Sequence, residues 1–182
     1  MKPGTRALGV AESYDGEQST VAGAVVRASR TVDGFAFTSC TVGGTDSTDA
    51  VVDVYDRLGR EDVRYVVVAG VAPAWFNVVD LHAVHDRVDR PVLSVSFEES
   101  DGLAAAIERE FPADAARRRL AVYDRQPDRE PVAVNGERVF VRAVGCEDPA
   151  AVVRAFTPEG GRPEPLRVAR LAARAADDYA TE

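Results

Sequence analysis

Lysine is almost missing from this chain. Lys2 is the only one, and every other cationic side chain is an arginine. Cysteine is nearly as scarce: Cys40 and Cys146 lie far apart and form no CxxC pair, which excludes a disulfide-dense scaffold and a cysteine-based zinc module. His82 and His85 are the only histidines; at i,i+3 they can share a helix face as a surface pair, and metal binding there would require a third ligand from elsewhere. No apolar run approaches the roughly 18 residues of a membrane-spanning helix, so no membrane partner is expected. The opening MKPGTRALG carries no apolar h-region, and the cytoplasm is the default expectation.

The residues that are present tell more. At about 150 residues per domain, 182 residues predict a single domain over 1–182. The net charge is −8, and 17 of the 30 acidic residues are aspartate. Abundant Asp, Ala and Val with almost no Lys fits a salt-adapted cytoplasm, although a GC-rich genome would also trade Lys for Arg. The overall charge disfavours indiscriminate binding to nucleic acid but leaves room for a local basic site. Two such concentrations stand out, each with a local net charge of +3: Arg117–Arg119 with Arg125, and Arg162 with Arg167, Arg170 and Arg174. The last three stand at i, i+3 and i+7, on one face of a helix.

Periodicity divides the chain into elements. Arg6–Val10, Val21–Ala28 and Phe35–Val42 read as three strands with short links, an antiparallel meander. Gly43-Gly44 then breaks the pattern. Thr45, Asp46 or Ser47 caps a helix that Gly59 stops. The β-branched run Val63–Val68 reads as a buried strand, Phe76–Val88 as a helix, Pro91–Phe97 as a strand and Leu103–Phe111 as a helix. Alternating strands and helices imply right-handed crossovers and parallel pairing. The expected core, residues 1–112, is therefore a ribonuclease-H-like mixed five-stranded sheet flanked by helices. Residues 113–182 add a hairpin at Asn135-Gly136 and a terminal helix over Leu166–Tyr179, as an extension of the same domain.

Sites in such sheets form at the carboxyl ends of the strands. Glu12 follows the first strand, Asp46 follows the glycine turn, and Asp80 lies beyond the fourth strand. Converging carboxylates would hold divalent ions against a phosphodiester, with Glu12 and Asp46 as metal ligands and Asp80 as a third acid. The same residues also suit strand-end solvation and helix capping. Trp75-Phe76-Asn77 offers a base-stacking wedge, or alternatively core packing or a dimer face, which would make a second copy of the chain a partner. Arg162, Arg167, Arg170 and Arg174 are phosphate-contact candidates. Gly43-Gly44 lacks the following lysine of a P-loop.

Six segments carry a family likeness: LGVAES at 8–13, TVDGFAF at 31–37, TVGGTDSTD at 41–49, VVVAGVAPAWFNVVDL at 66–81, RPVLSV at 90–95 and GGRPEPLRVARLAA at 160–173. In order and over nearly the whole chain, they resemble the archaeal endonuclease dU family, itself related to endonuclease V. The resemblance implies a ribonuclease-H-like fold and cleavage of deoxyuridine-containing or otherwise damaged DNA with Mg²⁺ or Mn²⁺. It also exposes departures. Ala11 and Glu12 stand where the family has two aspartates, and Gly43 and Ala69 each stand where it has one. Trp75 replaces a glycine and Arg170 a histidine. Two expectations follow: an endonuclease with a rearranged metal site, or a degenerate homologue that binds nucleic acid or a protein partner without cutting.

Overall fold

The computed structural model describes residues 1–181. Arg6–Tyr14 (β1), Gln18–Arg27 (β2) and Val32–Thr41 (β3) form the antiparallel meander, rich in Val and Ala because β1 and β2 are covered on both faces. Ser47–Leu58 (α1) crosses to Val63–Ala69 (β4), which pairs parallel to β1. Gly59 ends α1 in the left-handed conformation that suits glycine, at φ 57°. A one-turn segment, Pro73–Phe76 (α2), and Leu81–Val88 (α3) lead to Val92–Ser96 (β5), parallel to β4. Ala104–Glu110 (α4) and Ala113–Tyr123 (α5) follow.

The sheet has seven strands rather than the five expected. Glu130–Val134 (β6) and Glu137–Val144 (β7) form the hairpin, and β7 docks antiparallel on β5, giving the order β3-β2-β1-β4-β5-β7-β6. Asn135 and Gly136 both take positive φ, as a tight two-residue hairpin requires. The hairpin joins the sheet because Val139 and Val141 bury beside Leu93 and Val95, an apolar match that strand propensity alone does not reveal.

The helix expected over Phe76–Val88 also starts later. Asp80 caps α3, its carboxylate accepting from the His82 and Ala83 amides, and Ala74, Trp75 and Phe76 all have positive φ. Pro149–Ala155 (α6) and Glu164–Thr181 (α7) complete the chain.

Two cores sandwich the sheet. Leu8, Val10, Val66 and Val68 pack under α1 and α3, whereas Ala7, Val67 and Leu93 meet Phe156 and Leu166 on the other side. Each fully buried Leu contributes about 1.5–3 kcal/mol by leaving water. The start of α7 presses directly on β1. Gly9 permits this, since a Cβ there would overlap the Pro165 carbonyl.

Candidate functional site

Alternation along β1 places Leu8, Val10 and Glu12 on the α1 face. Glu12 lines a small cavity at the carboxyl ends of β1 and β4, with Ala11, Cys40, Ser47, Ala69 and Gly70 around it. Its Oε2 accepts a hydrogen bond from the buried Ser19 hydroxyl at 2.8 Å. It is the only carboxylate on the cavity wall. Burial pushes the Cys40 thiol up to about 11, and the negative charges of Asp46 and Glu12 add to the rise, so this thiol stays protonated.

Asp46 is held by its neighbours. Its Oδ1 accepts from the Thr41 amide at 3.0 Å and from Asn77 Nδ2 at 2.7 Å, and its Oδ2 accepts from the Thr41 hydroxyl at 2.9 Å. Burial would raise its pKa, but the bonds from Asn77 and Thr41 outweigh it and hold the carboxyl below its ordinary range. Asp80 faces elsewhere. It caps α3, and its Oδ2 accepts from Arg125 at 2.6 Å. Burial raises its pKa, and the bonds from Arg125 and Gln126 more than reverse the effect. Each of the three expected acids therefore has a local structural partner. Among the described residues, no group of three His, Cys, Asp or Glu is placed to hold a metal ion.

Asn77 has no exposed surface. Its Oδ1 accepts from the Ser47 amide at 2.9 Å and its Nδ2 donates to the Thr41 carbonyl at 2.8 Å as well as to Asp46. It thereby ties the turn after β4 to the turn after β3. Trp75, 48 % exposed, projects from this junction and packs edge-on against Phe76, their ring centroids 5.1 Å apart. Phe76 in turn meets Phe111 edge-on at 6.1 Å. Three successive non-glycine residues at positive φ carry a penalty of roughly 1 kcal/mol or more each. The Asn77 bonds and the Gly43 amide, which donates to the Ala74 carbonyl at 2.7 Å, offset it.

The likeness by residue type missed Arg119. It is the inward-facing member of the Arg117–Arg119 run, one turn of α5 from buried Ala116. Its guanidinium lies 3.9 Å from the Phe111 ring centroid and donates to the Gly43 and Gly44 carbonyls, with no carboxylate partner among the described residues. A fixed positive charge thus sits at the Gly43 turn. Helical phasing against Ala116 was the signal available. Arg117 pairs with Asp114 on the surface.

The other candidates scatter. Arg167 is paired with Glu164 at 2.6 Å, and Arg174 is exposed. Arg162 and Arg170 border a separate cleft beyond Ala69. His82 Nε2 donates to the Arg125 carbonyl and His85 Nδ1 to that of Arg90, so the two rings serve different loops.

Comparison with known proteins places this geometry. The endonuclease dU family model matches residues 3–177. The chain belongs to the endonuclease dU family. It is 33 % identical over 178 residues to a UPF0215 protein of Pyrobaculum aerophilum, covering 94 % of each chain. A crystal structure of an Archaeoglobus fulgidus protein of unknown function superposes with a TM-score of 0.80 at 25 % identity, over 94 % of this chain and 97 % of that one. Endonuclease V of Ciona intestinalis, solved with a 24mer DNA containing inosine, shares the fold: TM-score 0.61, 11 % identity, over 96 % and 86 % of the two chains. No helix among the described residues is long and apolar enough to cross a membrane.

The Mg²⁺ or Mn²⁺ that the family implies finds a poor donor set here. Such hard ions take oxygen ligands, anionic ones above all, in near-octahedral array. The cavity wall is otherwise apolar, with Val10, Val21, Val51 and Val79 beside a protonated thiol and one carboxylate, and neither Ala11 nor Ala69 has a donor side chain to add. Asp46 is engaged by Thr41 and Asn77, and the Gly43 turn already carries the Arg119 cation. The residues present do not fit the implied ion.

Proposed function

We propose that this chain is a binding member of the endonuclease dU family, one that holds DNA at the carboxyl ends of β1 and β4 without metal-dependent cleavage. The observation that carries this is the cavity wall, where Glu12 is the only acid and Ala11 and Ala69 flank it. Two-metal hydrolysis needs several carboxylates to clamp both the attacking and the leaving oxygen. Trp75, exposed two residues beyond Pro73 of the cavity wall, supplies a stacking surface, and stacking serves any base. The fold shared with a protein solved on DNA supports nucleic acid as the ligand class. Deoxyuridine is the first lesion to examine, since the family name carries it.

The test pairs binding with cleavage. Fluorescence anisotropy on uracil-containing and matched duplexes should show saturable binding. Trp75→Ala should weaken it by about 1–3 kcal/mol, a roughly 5- to 150-fold loss, with the melting temperature nearly unchanged. Incubation with Mg²⁺ or Mn²⁺ across a salt series should leave the strands intact. Metal-dependent cleavage abolished by Glu12→Gln and by Asp46→Asn would overturn the proposal and establish a working nuclease built on those acids.

A further inference from the structure

A second concavity lies beside that cavity and shares Ala69 and Gly70 with it. It is a cleft of about 400 Å³ at the carboxyl ends of β4 and β5, the size of a small-molecule site. Four arginines line it: Arg129 from the loop before β6, Arg142 from β7, Arg162 from the turn before α7, and Arg170 from α7 itself. Glu98 is the only acid on the wall. Among the described residues, none of the four has a carboxylate within ion-pair distance, in a chain of net charge −8 where nine other arginines do.

Three of the four are nonetheless held in place by contacts. Arg129 Nε donates to Ser96 at 3.1 Å and its guanidinium lies over Phe140 at 4.1 Å. Arg142 donates to the Pro127 carbonyl and to the Tyr123 hydroxyl. Arg162 lies 4.0 Å from the Phe97 ring centroid and, among the described residues, has no hydrogen-bond partner. Burial, with the neighbouring cation second, depresses the pKa of both Arg129 and Arg162. Like charges gathered in a partly desolvated cleft repel, and a bound anion relieves that repulsion. Guanidinium forks match phosphate oxygens in geometry as well as charge.

We propose that this cleft binds a phosphate monoester, the doubly charged terminal phosphate of a nucleotide, held between Arg142 and Arg129 on the sheet side and Arg162 and Arg170 on the α7 side. A strand end and a free nucleotide present the same group. The inference is independent of duplex binding at the Glu12 cavity.

Calorimetry would use four probes on the full chain: deoxyadenosine monophosphate, deoxyadenosine, and one single-stranded oligonucleotide with a 5′-phosphate or a 5′-hydroxyl. At least one phosphorylated probe should bind tenfold or more tightly than its dephosphorylated counterpart. Arg162→Gln with Arg170→Gln should erase that advantage. Among the described residues neither side chain has a hydrogen-bond partner, so the melting temperature should hold. Preference for the mononucleotide marks a free ligand, and preference for the phosphorylated strand alone marks a strand end. Either supports the site. Equal binding of each phosphorylated probe and its counterpart, absence of binding by all four, or an advantage that survives the double substitution would overturn it. Loss of duplex binding with the phosphate advantage intact would defeat the proposed function and leave this site standing.

Discussion

Asn77 Nδ2 donates to Asp46 Oδ1 at 2.7 Å, and through this bond a buried amide sets the position of a carboxylate at the end of the meander. The same side chain serves Ser47 and Thr41. Asn77→Ala leaves these three partners short of a hydrogen bond at a buried junction. It should destabilise the fold by about 2–4 kcal/mol in urea melts. A loss below about 0.5 kcal/mol would show that the left-handed turn holds without it.

Restoring an acid should restore metal affinity. Ala69 lies beside Ala11 and on the wall of the Glu12 cavity. In Ala69→Asp, millimolar Mn²⁺ should raise the melting midpoint, by about 1 kcal/mol of stability once the ion stands about five-fold above its Kd. The unsubstituted chain should not respond. An equal rise in both would show that the native residues already hold the ion.

Acid should loosen the meander first. Arg27 holds the Asp33 carboxyl at about 2, against some cost of burial and with help from Arg6. A carboxyl depressed on folding contributes stability above its unfolded pKa of about 3.9, and that contribution is lost as pH falls through the folded value. Urea melts between about pH 4 and about pH 2 should therefore show a declining stability that Asp33→Asn flattens. Parallel slopes for the two proteins would assign the acid sensitivity to other carboxylates.

Salt should stabilise the chain. At net charge −8 the folded state repels itself, and molar KCl screens that repulsion to a few ångströms. The melting midpoint should climb by several degrees from dilute buffer to molar KCl. A midpoint indifferent to salt would leave genome composition as the source of the Asp-rich, Lys-poor bias.

Local signals in the sequence located most elements. Gly59 ended α1 where glycine was expected to, and Asn135-Gly136 marked the hairpin turn. The docking of that hairpin on β5 depends on Val139 and Val141 meeting Leu93 and Val95, a contact between distant segments that no local pattern carries. Val84 and Val88 stand four apart, and Val79 lies near their face, so the apolar pattern runs back past the true start of α3 at Leu81. The Asp80 cap was legible as a residue, but its precedence over the apolar spacing was not. At the site, Glu12 and Asp46 were nameable from sequence. Asp46's engagement by Thr41 was not, because it needs the chain to fold back over five residues. Arg129 and Arg142 carried no motif. They matter only because two separate segments bring them to one wall.

The antiparallel register of β7 on β5 sets Arg142 opposite Ser94 and Phe140 opposite Ser96. Wall and floor of the arginine cleft are thus one hydrogen-bonded plate. Their spacing is dictated by backbone pairing, so a substitution at 140 or 142 changes what the cleft greets without changing its width. A lineage could exchange ligands here two side chains at a time while β1 and β4, and the chemistry at their ends, stay as they are.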